Sequence, residues 1–234
     1  MTSPTIVAPS SHTAALASPT SSSQSRPASP THSNNLEPGR LYAVLSYRGD
    51  LASWTWAFFV PDPAGSPIGS RGTIFRVVSH AERDLSCGED TGLGIAVACV
   101  PSLDAAVGGG WSFDMSTTDI TGSPITVAIV SLGDLESLGP YEDVIGGDGL
   151  EPMFRTVPIP ESGTGGAALV NRHGVTFSSR TWFLDAICVL HDCGVVTCDD
   201  VWMLERELRR FAFSAMDGYL QNKGWTSFTA ERCS

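Results

Sequence analysis

Two adjacent serines, Ser178 and Ser179, stand directly before the most apolar segment of the chain, residues 180–193. A segment of that composition predicts a buried helix whose N-terminus lies at the serines. A serine hydroxyl in that position acts as a nucleophile only when a base removes its proton. His80 and His173 are the candidate bases, although the sequence alone does not bring either of them to Ser179. The structural interpretation is simpler, because serine is a preferred N-cap residue, and capping is what we expect of the pair.

Cysteine and histidine side chains near the end of this helix raise the question of a metal site. Cys188 and His191 are one helical turn apart, and Cys193 and Cys198 follow. This spacing matches no common zinc module, so we expect core cysteines, a histidine at a helix end, no metal and no cofactor. The chain has six cysteines and no Cys-x-x-Cys pair, which predicts reduced thiols.

The acidic balance of the chain limits the partners that it can bind. Its formal net charge is −11, so the phosphate backbone of a nucleic acid would be repelled and we expect no nucleic-acid partner. The basic cluster Arg206, Arg209 and Arg210 is interleaved with Glu205 and Glu207, which is typical of a solvated helix face. The sequence contains no apolar run of about 18 residues and no secretory signal pattern, so we expect no membrane span and an intracellular, cytoplasmic location.

Composition divides the chain into two parts. Residues 1–35 are mostly Ser, Thr, Pro and Ala, and such a segment has too little apolar area to offset the entropy lost on ordering. We therefore predict a disordered tail over 1–35, either inert or phosphorylated for regulation, and a single domain over 36–234. A domain of that length can bury a sizeable core.

Periodicity predicts an α+β domain, with an antiparallel sheet packed against a buried helix and a long amphipathic C-terminal helix. Gly194 and Gly224 are the expected helix stops, and Asp199 or Asp200 is the expected cap of the second helix. Five tryptophans fall on apolar-patterned segments and are expected in the core: Trp54, Trp56, Trp111, Trp182 and Trp202. The predicted strands are 41–47, 54–60, 73–79, 93–100, 111–115, 126–132 and, at a sheet edge, 153–159, and the predicted helices are 180–193 and 201–223.

Three short motifs resemble those of a known group. They are WTWAFFV at 54–60, GxxFxV at 72–77 and RTWFLDA at 180–186. Together they resemble a group of small fungal proteins of unknown activity, which is itself similar to circularly permuted papain-like domains of the NlpC and lecithin–retinol acyltransferase type. In active members of that superfamily a histidine precedes the aromatic strand and a cysteine begins the buried helix.

The resemblance implies a papain-like fold whose catalytic positions are replaced. The histidine position falls on Thr55, the cysteine position on Ser179, and the residue before the cysteine on Ser178. A helix N-terminus can stabilise a thiolate, but a serine hydroxyl is far less acidic and needs a base, which threonine cannot be. The implied site is therefore degenerate.

Three hypotheses about function follow. The first is a catalytically degenerate papain-like domain that binds a small ligand or a protein in a cleft lined by Trp54, Trp56, Ser178 and Trp182. The second is a hydrolase or acyltransferase that uses Ser179 with a non-standard histidine base. The third is a structural or interaction protein that makes no use of the cleft.

Overall fold

The computed structural model describes residues 36–49, 53–79, 110–160 and 176–233. The predicted tail 1–35, the predicted strand 93–100, His80 and His173 lie outside the described residues. The described part has the predicted α+β composition. Its strands are β1 (Arg40–Tyr47), β2 (Trp54–Pro61), β3 (Arg71–Ser79), β4 (Trp111–Asp119), β5 (Thr126–Asp134) and β6 (Thr226–Thr229), and its α-helices are α1 (Tyr141–Ile145), α2 (Leu150–Arg155), α3 (Ser179–Asp192) and α4 (Val201–Leu220).

The strands form one sheet in the order β4-β3-β2-β1-β5-β6. The pairs from β4 to β5 are antiparallel, and β2 and β3 form the predicted hairpin. The prediction missed β6, a four-residue strand that runs parallel to β5 and makes the sheet mixed. Its sequence, TSFT, has too few apolar positions to reveal a strand by alternation.

The two faces of the sheet carry separate hydrophobic clusters, and alternate residues of β2 belong to one cluster or the other. Trp54, Trp56 and Phe58 join the cluster that contains the helices. Ala57 and Phe59 join a smaller cluster on the opposite face. Because successive strand residues point to opposite faces, β2 is buried on both sides over most of its length.

Helix α3 lies on the helical face of the sheet, against β2. Its residues are apolar almost all round, and Trp182 and Phe183 are fully buried. The rings of Phe58 and Phe183 stack with centroids 4.2 Å apart. Such stacking stabilises the fold beyond the contribution of the buried apolar area. The helix ends before Gly194, whose φ of +73° is the left-handed conformation that glycine adopts at low cost.

Helix α4 covers the rest of that face and carries buried acidic groups. Asp200 caps it, its Oδ1 accepting from the N–H groups of Trp202 and Met203. Glu205 and Glu207 are buried, and Glu207 accepts from the backbone N–H groups of Glu231 and Arg232, 3.0 and 3.3 Å away, which holds the chain end against the helix. None of the described helices is both long enough and apolar enough to cross a lipid bilayer.

Two sequence predictions about elements were wrong. Residues 153–159 are not an edge strand, because Leu150–Arg155 is helical. Proline is tolerated in a first helical turn, where Pro152 lies, and Leu150 and Phe154, one turn apart, are both buried. Trp202 is not in the core but 46% exposed, because it lies off the buried stripe of α4. Trp54, Trp56 and Trp182 are buried, and Trp111 is partly buried against the core.

Candidate functional site

Ser178 is the N-cap of α3, as the sequence predicted. Its hydroxyl oxygen accepts from the N–H of Thr181 at 3.2 Å. In return the N–H of Ser178 donates to the hydroxyl oxygen of Thr181 at 2.8 Å, which completes a capping box. The hydroxyl of Ser178 thus serves the start of the helix.

Ser179 is the first residue of α3 and joins the helix to the sheet. It is only 3% exposed, and its Oγ accepts from the backbone N–H of Trp56 at 3.3 Å. The pairing of β2 with β3 begins at Ala57, so Trp56 lies one residue outside that ladder. A buried N–H without an acceptor is costly, and Ser179 supplies the acceptor.

Thr55, at the implied histidine position, does not face Ser179, and no histidine lies beside Ser179 among the described residues. Thr55 shares its side of β2 with Ala57 and Phe59, the face opposite to α3. The described histidine, His191, is twelve positions after Ser179, about 18 Å along the helix axis. Its Nδ1 accepts from the N–H of Cys198 at 3.2 Å. The candidate bases His80 and His173 lie outside the described residues.

A cleft of about 220 Å³ opens at the start of α3. Three of the four residues expected to line it, Trp54, Trp56 and Ser178, do so together with Ser179. Trp182 does not, because its ring is buried among Phe58, Phe113 and Phe154. The remaining lining residues are Arg48, Ser53, Arg180 and Arg209.

The arginines of the cleft were missed as site residues by the sequence analysis. Nη1 of Arg180 and Nη1 of Arg209 lie 2.9 and 3.6 Å from the same oxygen of Glu205. The pairing of Glu205 with Arg209 is visible in the sequence as an i,i+4 spacing. Arg180 comes from α3 and Arg48 follows β1, so only the tertiary fold brings them to Arg209. The side chain of Arg209 therefore faces a cleft and is not simply part of a solvated surface.

An unpaired hydrogen-bond donor also belongs to a residue of the cleft. Trp54 is 5% exposed, and within the described part of the chain its indole N–H has no acceptor. Its ring packs edge-on against Phe213, with centroids 4.7 Å apart. Buried polar groups are nearly always hydrogen-bonded, but in the described part of the chain the buried indole N–H of Trp182 and the hydroxyl of Thr126 are unpaired as well, so the Trp54 donor does not by itself mark a ligand site.

The cysteines do not form a metal centre in the described part of the chain, where no three His, Cys, Asp or Glu side chains are grouped for that purpose. Cys188 and Cys193 are exposed, which corrects their expected places in the core, whereas Cys198 is buried. A hydrogen bond from the thiol of Cys233 lowers the pKa of Cys198, and the backbone N–H of Asp200 acts in the same direction. These two thiols lie beyond the C-terminal end of α3, away from the cleft at its N-terminus.

No protein-family model, no curated protein and no solved structure matches this chain.

Proposed function

We propose that the chain is a binding module that holds a small ligand in the cleft at the start of α3 without catalysing a reaction on it. The observation that carries the proposal is the cleft itself, whose lining residues are two tryptophans, three serines and three arginines. Concave sites with a few convergent polar groups are where proteins bind small molecules.

The hydrogen bond of Ser179 argues for binding rather than nucleophilic catalysis. A serine nucleophile needs an adjacent base, and the described residues place no imidazole beside Ser179. Its oxygen already accepts the N–H of Trp56 and is almost fully buried. In this proposal Ser179 fixes the helix to the sheet and so shapes one wall of the cleft.

The papain-like resemblance supports this proposal through the order of the elements and the place of the cleft among them. Five of the six described strands precede the buried helix in the chain, and the N-terminus of that helix meets β2, which is where the superfamily has its site. The side of the strand differs, because Thr55 faces away from α3 whereas Trp54 and Trp56 face toward it. We therefore propose a permuted papain-like domain that has a tryptophan-lined cleft in place of a cysteine–histidine pair.

The test is a binding screen followed by mapping. We expect members of a small-molecule library to shift the amide resonances of residues 178–180 in ¹⁵N-labelled full-length protein. The amides of Val44 and Phe59, which belong to the opposite face of the sheet, serve as the internal control. Hits that shift only the control face, or no hits at all, would refute the proposal.

A second measurement addresses the enzyme hypothesis. A fluorophosphonate probe, which labels activated serines, should leave the purified protein unlabelled. Labelling that disappears in Ser179→Ala would instead establish a hydrolase or acyltransferase with a base from a residue outside the described part.

A further inference from the structure

Positive charge is concentrated in the cleft of an acidic protein. Three arginines are among its described lining residues, Arg48, Arg180 and Arg209, and no acidic residue is. Arg48 has a partner of its own, so the guanidinium groups offered to a ligand are those of Arg180 and Arg209. The whole chain carries a formal net charge of −11. Arginines that are grouped in one cleft of a negatively charged chain are not explained by surface solubility alone.

Neutralising the charge of Glu205 does not require both Arg180 and Arg209. One carboxylate faces two guanidinium groups, and both reach the same oxygen. Each guanidinium has five N–H donors, so this contact uses a minority of them. The side chains of Arg180 and Arg209 are 36% and 41% exposed, which leaves donors accessible from the cleft.

The start of α3 adds partial positive charge from the backbone. The N–H groups of Ser179 and Arg180 lie in the first helical turn, where an α-helix offers them no internal acceptor. In a helix of 14 residues the aligned peptide dipoles also favour an anion at this end.

The indole of Trp54 belongs to one of three side chains whose buried polar atom lacks a partner in the described part of the chain, and it serves here as a reporter. Its N–H is buried and unsatisfied among the described residues, and Trp54 lines the same cleft as the arginines. The guanidinium groups and the helix start are donors, and the ligand that suits a set of donors is an acceptor with negative charge.

We infer that the cleft binds an oxyanion, namely the carboxylate or phosphate-monoester end of a small molecule. This inference rests on the proposed binding function and specifies its ligand class. The cleft volume of about 220 Å³ is below the range of about 300–1,000 Å³ that is usual for a whole drug-sized ligand. It therefore suits one charged end group, with the rest of the ligand projecting outward.

The experiment compares four small probes on the full-length protein. They are inorganic phosphate, phenyl phosphate, benzoate and, as a neutral control, benzyl alcohol. Binding is followed by the indole ¹⁵N–¹H resonance of Trp54, which Trp54→Phe assigns by removing it. We expect the anions to move this resonance downfield, and the tighter of phenyl phosphate and benzoate identifies the phosphate or the carboxylate as the preferred group.

Two matched variants test whether the positive charge of Arg209 contributes to anion binding. Arg209→Gln removes a guanidinium from the cleft, whereas Arg210→Gln makes the same change at the next residue, whose side chain is 61% exposed, faces Glu207 and does not line the cleft. Net charge falls equally in both. We expect Arg209→Gln to weaken anion binding by about tenfold, and Arg210→Gln to leave it unchanged. Arg209→Lys keeps the charge and should retain part of the affinity if Arg209→Gln fails to fold.

The outcomes separate this inference from the proposed function. Equal weakening by Arg209→Gln and Arg210→Gln would overturn the inference, because it would show attraction to net charge only. Binding of benzyl alcohol in the cleft without binding of any anion would overturn the inference and leave the binding function standing. If no probe moves the Trp54 indole or the amides of residues 178–180, the inference is overturned, and the library screen decides on the binding function separately.

Discussion

Ser179 shows how one hydroxyl can suggest chemistry in the sequence and serve packing in the structure. Its type and position resemble those of a nucleophile at a helix N-terminus. Its partner, however, is the backbone N–H of Trp56, which no pattern of side chains could have revealed. The contact joins two segments that are far apart in the chain, so it depends on the tertiary fold.

The Ser179→Ala substitution tests this structural role. Loss of the acceptor leaves the N–H of Trp56 buried and unpaired, so we expect the free energy of unfolding to fall by about 1–3 kcal/mol. Ser214→Ala is the control, because Ser214 is exposed on α4 and only bonds the carbonyl of Phe211. Chemical denaturation measures both variants. Equal stability of Ser179→Ala and the parent would show that the bond to Trp56 contributes nothing.

Asp119 provides a pH-dependent prediction at the turn after β4. The hydroxyl of Thr121 donates to Asp119 Oδ1 at 2.6 Å, and this bond, together with the N–H groups of Gly122 and Thr121, lowers the pKa of Asp119. A depressed pKa stabilises the fold at pH values above the ordinary pKa of about 3.9, and the contribution is lost as the pH falls through the lower folded value.

Removing the hydroxyl donor with Thr121→Val should raise the pKa of Asp119 toward its ordinary value. The stability difference between the parent and this variant should be present near neutral pH and shrink in acid. Thr121→Ser keeps the donor and should behave like the parent. Carboxyl ¹³C NMR titration measures the pKa, and an unchanged Asp119 titration in Thr121→Val would refute the assigned cause.

At the scale of the element, substitutions at Ser178 test how much the N-cap of α3 contributes to the stability of the fold. Ser178→Ala removes the acceptor for the N–H of Thr181 and should cost about 1 kcal/mol, whereas Ser178→Asp keeps an acceptor and should cost much less. Thermal unfolding compares the two. A cost shared by both variants would point to packing around Ser178 and not to the cap.

The elements that the sequence predicted well are those whose burial leaves a regular pattern. Helix α3 is apolar nearly all round, and α4 repeats apolar residues every three or four positions, so both were found, with ends within a few residues. Helix α2 was mistaken for a strand because six residues hold less than two turns, too few for periodicity to separate the two structures. Strand β6 was not predicted for the same reason, because its four residues are too few to show a period.

The cleft was predictable only in part. Trp54 and Trp56 belong to the first of the three motifs that carry the papain-like resemblance, Ser178 stands two residues before the third, and the structure places them together. Arg48 and Arg209 come from the end of β1 and the middle of α4, and nothing local marks them as neighbours. The side of β2 on which Thr55 lies follows from the alternation of buried residues, and the sequence analysis did not apply that alternation to position 55.

At the scale of the whole molecule, the charge of the cleft and the charge of the chain have opposite signs. The formal net charge is −11, yet arginines line the cleft. Interactions between exposed charges are screened beyond about 10 Å at 0.1 M salt. A small anion in the cleft is within a few ångströms of the guanidinium groups, whereas a long polyanion also meets the acidic remainder of the surface.

The two kinds of anion should therefore behave differently. Phenyl phosphate should bind at moderate salt and weaken gradually as salt rises, because its contacts are short and partly enclosed. A duplex DNA of about two helical turns should neither bind nor displace phenyl phosphate at physiological salt, since the formal net charge of −11 opposes the approach of a long polyanion. Fluorescence anisotropy of labelled DNA and competition against phenyl phosphate measure the two effects. Tight DNA binding with a steep salt dependence would mean that the arginines belong to a continuous basic surface, and the small-anion site would lose its basis.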